Sequence, residues 1–207
     1  MRDGAVTPRD DNVAEVRMEG SLLIAAVVLA AGASRRLGSP KQLATLGDET
    51  LLERAVRLAR EAGCSPVIVV LGAEYERVLA DCRLGDAVPV IHDKWEEGMG
   101  SSIRLGVRVC EAAAGVVVMT CDQPAVTVGH LQALMRGSEV KASRYAGRKG
   151  VPAFFPERYF EELEALSGDV GARELLRSAE AVELEGGELD VDTVGDLERA
   201  RRLFGRR

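Results

Sequence analysis

Histidine is scarce in this chain: 207 residues contain two, His92 and His130. A histidine-centred triad or a multi-histidine metal site therefore lacks members. The four cysteines, Cys64, Cys82, Cys110 and Cys121, are widely spaced and form no CxxC pair. That argues against a zinc site and for reduced, mostly buried thiols. An excess of positive charge is missing too, with 27 Lys and Arg against 33 Asp and Glu, a formal net charge of −6. The electrostatic footprint of a nucleic-acid binder is thus absent, although a local group of cations can still hold a small anion. The longest apolar run, Leu22–Ala33, falls short of the ~20 residues that cross a bilayer, and it lacks the basic flank of a signal peptide. No membrane partner and a cytoplasmic location are expected. Internal repeats and sustained heptads are also lacking.

What is present is the composition of one ordinary globular domain, 46% hydrophobic and 29% charged. Residues Met1–Gly20 are polar and without apolar periodicity, and are expected to form a disordered tail, with Met18 an alternative start. The domain is expected over 21–207.

Leu22–Ala30 is a near-continuous apolar run, the pattern of a strand buried on both faces. Thr50–Ala62 places Leu51, Leu52, Ala55, Val56 and Ala59 on one helical face, with a Thr50/Glu53 capping-box pair and a Gly63 stop. Further strands are expected at Pro66–Leu71, Val88–Ile91 and Val116–Thr120. Helices are expected at Glu74–Leu84, at Ser101–Ala113 with Ser101 or Ser102 as N-cap, and from Thr127 to Arg136. Beyond these, Val140–Tyr145 and Val151–Phe155 read as strands joined by the Gly147–Gly150 turn, and Val182–Leu184 as a short strand. Arg158–Leu166, Ala172–Ala179 and a Thr193-capped segment to Leu203 read as helices. The alternation predicts an α/β protein: a single-domain three-layer α/β/α sandwich around a mostly parallel, Rossmann-like sheet.

Ligands of open α/β sheets bind at the carboxyl ends of the strands. After the first strand comes Ala-Ala-Gly-Ala-Ser-Arg-Arg-Leu-Gly-Ser-Pro-Lys, Ala30 to Lys41. Ala30, Ala31, Gly32 and Ala33 let the backbone approach a ligand closely, and main-chain amides there can form an anion-binding nest. Arg35, Arg36 and Lys41 add cations suited to a polyphosphate. The loop is not a P-loop, because Gly38 is followed by Ser-Pro-Lys, and Gly32-Ala33-Ser34 breaks the GxGxxG dinucleotide fingerprint. On composition alone, a turn carrying solvated basic residues remains the alternative.

Leu29 to Leu43, LAAGASRRLGSPKQL, resembles the LAAGxSxRMGxPKxL signature of the nucleotidyltransferases of molybdenum-cofactor biosynthesis, with Leu37 in place of methionine. Val69–Ala73, with Gly72 at the strand exit, is similar to the family's second strand. Trp95–Ser102, WEEGMGSS, resembles its W-x-x-G-x-x-S-S segment. Cys121-Asp122-Gln123-Pro124, Gly147–Pro152, Ser167–Arg173 and Asp190–Thr193 resemble its DQP, GxxGHP, GDxGAR and DIDTP segments, with Val151 replacing the histidine of GHP. The resemblance covers nearly all of Leu22–Leu203 and implies a GT-A-like nucleotidyltransferase fold. It implies that Leu29, Ala30, Ala31, Gly32, Ala33, Ser34, Arg35, Arg36, Lys41, Gly72, Gly98, Ser101 and Ser102 bind the nucleotide. Gly150, Pro152 and Asp169 fall to the acceptor side, and Arg36 and Lys41 to the phosphates.

Asp122 directly follows a buried strand, at the edge where ligands bind. A carboxylate there suits Mg²⁺, which prefers hard oxygen ligands and accompanies triphosphates; capping of the turn before Pro124 is the alternative. Asp190 and Asp192, two apart on an extended segment, share one face, and either can complete the metal site. Arg36, Lys41 and Asp122 are the expected catalytic groups. The implied reaction is attack by a substrate phosphate oxygen on the α-phosphorus of a nucleoside triphosphate with release of pyrophosphate. A phosphate is already ionised at neutral pH, so no strong base is required. LAAG and PKQ favour CTP over GTP, with molybdenum-bound molybdopterin as acceptor and a molybdoenzyme as recipient. Two rivals stand beside this reading: transfer to another phosphorylated acceptor, such as a sugar or polyol phosphate, and a non-catalytic carrier of the cofactor.

Overall fold

The computed structural model describes residues 23–168 and 173–205. The expected tail, Met1–Gly20, and Asp169 lie outside these residues.

Strand β1, Ile24–Ala30, is buried along all but its first residue. Its side chains split by period two. Ala26, Val28 and Ala30 join one hydrophobic cluster, while Ala25, Val27 and Leu29 join the other. A continuous apolar run was required because both faces are covered. The first cluster takes in α1 (Leu51–Glu61), α2 (Tyr75–Asp81) and α4 (Val128–Leu134). The second takes in α3 (Met99–Arg108), α5 (Phe160–Glu164) and α6 (Arg173–Leu176). The three layers match the expected architecture. Helix α7 (Val194–Phe204) packs on the short hairpin of β2 (Thr45–Leu46) and β3 (Glu49–Thr50) in a small third cluster.

The main sheet has the order β5-β4-β1-β6-β8-β7-β9, where β4 is Val67–Leu71, β5 Val88–Ile91, β6 Gly115–Thr120, β7 Lys141–Tyr145, β8 Arg148–Pro156 and β9 Glu180–Glu183. Strand β8 is antiparallel to both neighbours, and every other pair in this sheet is parallel. From β1 the chain moves outward through β4 and β5, then returns to the other side of β1 as β6. That reversal opens a crevice at the carboxyl ends of β1 and β6.

Several boundaries differ from the sequence expectation. Helix α3 begins at Met99, not at Ser101, and ends at Arg108; its N-cap is Gly98, with φ 102° and no side-chain cap. The serines resemble caps locally, but the chain reverses at a positive φ that glycine alone adopts cheaply. Ser101 Oγ instead donates back to the Gly98 carbonyl at 2.7 Å. Helix α2 starts after Glu74, whose own φ is 51°. The turn between β7 and β8 is Ala146-Gly147, with φ of 47° and 74°, so β8 starts at Arg148, earlier than Val151. Strand β9 precedes the expected Val182–Leu184 by about two residues. The Thr50/Glu53 capping box is present as read, and Thr193 forms a second one with Asp196.

One irregularity shapes the site. Between Ala142 and Ser143 the β7–β8 register jumps: Ala142 faces Ala153, but Ser143 faces Gly150. Val151 and Pro152 are therefore left out of that ladder as a bulge, joined by a cis peptide bond. Because β8 runs antiparallel to β6 with Val118 opposite Ala153, the bulge sits beside the carboxyl end of β6.

Candidate functional site

The loop leaving β1 folds back on itself through Ser34. Its φ is 51°, its carbonyl accepts from Leu37 N–H, and its Oγ accepts from Lys41 N–H at 3.0 Å. This brings Lys41, at the start of a single 3₁₀ turn (Lys41–Leu43), under the end of β1. Gln42 is buried there and donates from Nε2 to the carbonyls of Ala30 (2.6 Å) and Gly32 (3.2 Å). These bonds tie the end of β1 and the loop that leaves it to the 3₁₀ turn.

Gly32 and Gly72 serve different ends. A methyl group on Gly32 would meet nothing within 4 Å, so the space above it is open to a ligand. A methyl group on Gly72 would strike Trp95 and the Ala31 carbonyl at 2.6–2.7 Å. Gly72 therefore lets Trp95 pack close to the loop, while Ala73 N–H bonds to the Ala31 carbonyl at 3.0 Å.

A cavity of about 380 Å³ lies over this loop, lined by Leu29, Ala30, Ala31, Gly32, Lys41, Gln42, Trp95, Gly98, Met99, Ser102 and Asp122, among others. A larger groove of about 620 Å³ runs between the β2–β3 hairpin, α1 and the start of α4, and contains none of these residues. The smaller cavity is the candidate site, because, unlike the larger groove, it sits at the carboxyl ends of β1 and β6.

Three carboxylates approach that cavity. Asp122 follows β6, and its carbonyl accepts from Val191 N–H at 2.9 Å, which lays Asp190–Asp192 alongside it. Lys41 Nζ lies 2.6 Å from Asp122 Oδ2 and 2.7 Å from Asp192 Oδ1. Arg36 donates to the other oxygen of Asp192 at 2.6 Å. Burial alone would depress the Lys41 ammonium, but Asp122 and the hydrogen bonds to both carboxylates more than reverse this and hold it charged. Asp192 is held low, chiefly by its hydrogen bond with Lys41. Asp190 is pushed up to about 6, first by burial and then by Asp122 and Asp192.

Fitness for a divalent cation follows from charge. Asp122 and Asp192 face Lys41 and Arg36, and Asp190, its pKa raised first by burial and then by these two carboxylates, adds a third acidic group close by. Among the described residues, however, no three His, Cys, Asp or Glu side chains converge into a ready-made metal cage. Two carboxylates already sharing one cation, with further oxygens left to a bound phosphate, suit Mg²⁺ or Mn²⁺ better than a closed structural site.

Other expected residues are placed as follows. Arg35 points outward, 81% exposed, near Glu96 at 3.8 Å. Ser102 lines the cavity, whereas Ser101 is buried behind it. Gly150 and Pro152 lie at the β8 bulge. Lys149, beside Gly150, spends its Nζ on the carbonyls of Arg177 and Ala179. Sequence reading missed Gln42, Gln123, Tyr145 and both histidines. Gln123 donates to the Tyr145 hydroxyl at 3.3 Å, and Tyr145 donates to the Val151 carbonyl at 3.1 Å, linking the residue after Asp122 to the bulge.

The chain is similar to several known proteins. Residues 26–183 match the MobA-like NTP transferase domain. The chain is 32% identical to nicotine blue oxidoreductase of Paenarthrobacter nicotinovorans, over 85% of this chain and 95% of that protein. It is also 32% identical to the purine catabolism protein PucB of Bacillus subtilis, over 86% of this chain and 96% of that one. A probable molybdenum cofactor guanylyltransferase of Opitutus terrae is 33% identical over 64% of this chain and 66% of its own length. Among solved structures, Rv0371c of Mycobacterium tuberculosis superposes with a TM-score of 0.76 at 36% identity, over 87% of this chain and 98% of that one. Its complex with manganese gives 0.73 at 34% over the same shares. No helix among the described residues is long and apolar enough to cross a membrane. The loop, the carboxylates and the matched domain agree: the chain is a nucleotidyltransferase and belongs to the MobA-like NTP transferase domain family.

Proposed function

We propose that the protein transfers CMP from CTP to the phosphate of molybdenum-bound molybdopterin and releases pyrophosphate. The observation that carries this reading is Lys41 held between Asp122 and Asp192 at the rim of an open glycine loop. The pterin acceptor is supported by the likeness to a molybdenum cofactor guanylyltransferase, and the choice of CTP by LAAG and PKQ in the loop.

In this reading, loop amides around Gly32 and the Arg36 guanidinium receive the triphosphate. An oxygen of the acceptor's phosphate attacks the α-phosphorus and forms the new P–O bond. The bond from the α-phosphorus to the bridging oxygen breaks, and its electrons leave with pyrophosphate. Lys41 neutralises charge on the reacting phosphoryl group and needs no proton transfer to do so. Asp122 and Asp192, with Asp190 behind them, would hold magnesium. When bound, the ion would supply charge neutralisation and alignment of the phosphates.

Pyrophosphate release, measured with each of the four triphosphates, with and without molybdenum-bound molybdopterin, tests the proposal. Release with CTP and pterin is expected. Release with sugar or polyol phosphates but not the pterin would remove the acceptor assignment. Nucleotide or pterin binding without release under any condition would leave a carrier. One relative carries an oxidoreductase name, so nicotinamide-cofactor consumption belongs in the same assay. The missing dinucleotide fingerprint argues that none occurs.

A further inference from the structure

The chain uses its two histidines in the same way, once on each side of the site. His92 follows β5, and its backbone N–H bonds to the Leu71 carbonyl at 2.7 Å. Its Nε2 lies 2.7 Å from Ser101 Oγ, and Ser101 Oγ donates to the Gly98 carbonyl at 2.7 Å. His130 sits in α4, with Nε2 2.7 Å from Ser143 Oγ, and Ser143 Oγ donates to the Pro152 carbonyl at 2.7 Å. All four side chains are buried.

A serine hydroxyl has one proton. In the His92 relay it goes to the Gly98 carbonyl, so His92 Nε2 donates to the serine oxygen. His130 bonds through its ring to the backbone of Glu183 as well as to Ser143, so its imidazole is held from two sides. Burial holds both imidazoles below the usual histidine range, which keeps them neutral in this role.

The two carbonyls share a difficulty. Gly98 precedes α3 at a φ of 102°, and Pro152 lies in the bulge where the β7–β8 ladder is interrupted. The Pro152 carbonyl is not held by the β7 ladder, and the Gly98 carbonyl, that of the α3 N-cap, accepts only the first bond of the helix, so in each case a buried side chain adds a second constraint on its direction. Gly98 lines the cavity beside Met99 and Ser102. Pro152 flanks the end of β6, and the Tyr145 hydroxyl holds the neighbouring Val151 carbonyl from the other side.

We propose that His92 and His130 are paired positioning residues, His92 through Ser101 for the loop that receives the nucleotide and His130 through Ser143 for the bulge that receives the acceptor. Neither touches substrate; each sets one substrate's surface and leaves the other's alone. The assignment of sides rests on the proposed transfer reaction and on the resemblance of Trp95–Ser102 and Gly147–Pro152 to the nucleotide and acceptor segments of the family.

The test uses the full chain with H92L, H130L and the donor-retaining H92Q and H130Q. Two constants are measured: the Kd of CTP with magnesium by calorimetry, and the KM of molybdenum-bound molybdopterin from pyrophosphate release. H92L should weaken CTP about tenfold and H130L should raise the acceptor KM about tenfold, the size of one lost buried hydrogen bond. The other constant should stay within about twofold in each case, and glutamine should restore most of the loss. A general structural role would move both constants together, and that outcome overturns the proposal, as does tolerance of leucine at both positions. If the wild type binds CTP but never uses the pterin, the acceptor reading fails instead. The calorimetric arm still decides: H92L must weaken CTP and H130L must not, and equal losses overturn the pairing.

Discussion

Lys41 Nζ stands 2.6 Å from Asp122 Oδ2, joining residues 81 positions apart at the point where β1 and β6 end. Both side chains are mostly buried, 16% and 15% exposed. Such a pair is weak evidence for stability, because desolvation offsets much of the Coulomb attraction. Its value lies in placing a charged ammonium where phosphate charge would develop. Lys41→Met and Asp122→Asn should each lower kcat on the order of 10²-fold, the scale for one preorganised electrostatic contact. Asp192 remains as a partner for Lys41 in the second variant, so the protein should stay folded. Steady-state kinetics decide the matter: an unaltered kcat in Lys41→Met removes the lysine from the mechanism.

Gly32 offers a separation of folding from binding. Nothing lies within 4 Å of the position a methyl group would take, and its φ is not among the positive ones. Gly32→Ala should therefore leave the melting temperature almost unchanged, within the ~0.5 kcal/mol usual for substitutions that meet no neighbour. If a triphosphate lies over this backbone, the methyl group intrudes on it, and Kd should rise about tenfold or more. Calorimetry on the variant checks this. Undiminished nucleotide affinity would place the triphosphate elsewhere.

The legible parts of the molecule are those written locally. The apolar run of β1, the Thr50/Glu53 box and the loop around Gly32 each carry their signal within a dozen residues. The β2–β3 hairpin has two residues in each strand, too few for an alternation to show. The start of α3 was misplaced because serine resembles a cap, whereas Gly98 turns the chain at positive φ. The relays through His92 and His130 depend on Ser101 and Ser143, and no spacing rule pairs a histidine with a serine across separate elements. Asp122 was legible as a strand-end carboxylate, but its partnership with Lys41 exists only once β1 and β6 lie side by side.

Asp190 gives a pH-dependent test. Its pKa is raised from 3.8 to about 6, first by burial and then by Asp122 and Asp192. A carboxyl that holds its proton more tightly when folded stabilises the fold below its unfolded pKa, and that contribution is lost as pH rises through about 6. In metal-free protein at pH 7 the ionised Asp190 is therefore a liability, and Asp190→Asn should raise the melting temperature. After discounting for solvent screening, a gain on the order of 2–4 °C is expected, the shift that about 1 kcal/mol gives a chain of this size. The gain should vanish near pH 4, where the native carboxyl is already protonated. Thermal melts across this range read it directly, and a gain that grows towards low pH has the wrong sign.

Glu53 should behave in the opposite sense. Its carboxylate accepts from Thr50 N–H and Arg83 N–H, both at 2.8 Å, while Thr50 Oγ1 accepts from Glu53 N–H at 3.1 Å. Burial would raise its pKa, but these backbone hydrogen bonds prevail and lower it. A carboxylate with a depressed folded pKa stabilises the protein above its unfolded value, ~4.3, and loses that contribution as pH falls through the folded pKa. Glu53→Gln keeps an acceptor and removes only the charge. It should cost about 0.5–1 kcal/mol at pH 7, the range for a charge at a helix N-terminus. The difference from wild type should shrink below about pH 4 as the native side chain becomes neutral. Denaturant melts of both proteins at pH 7 and pH 3.5 measure it, and a deficit of the same size at both would mean that the charge contributes nothing and the cap acts through geometry alone.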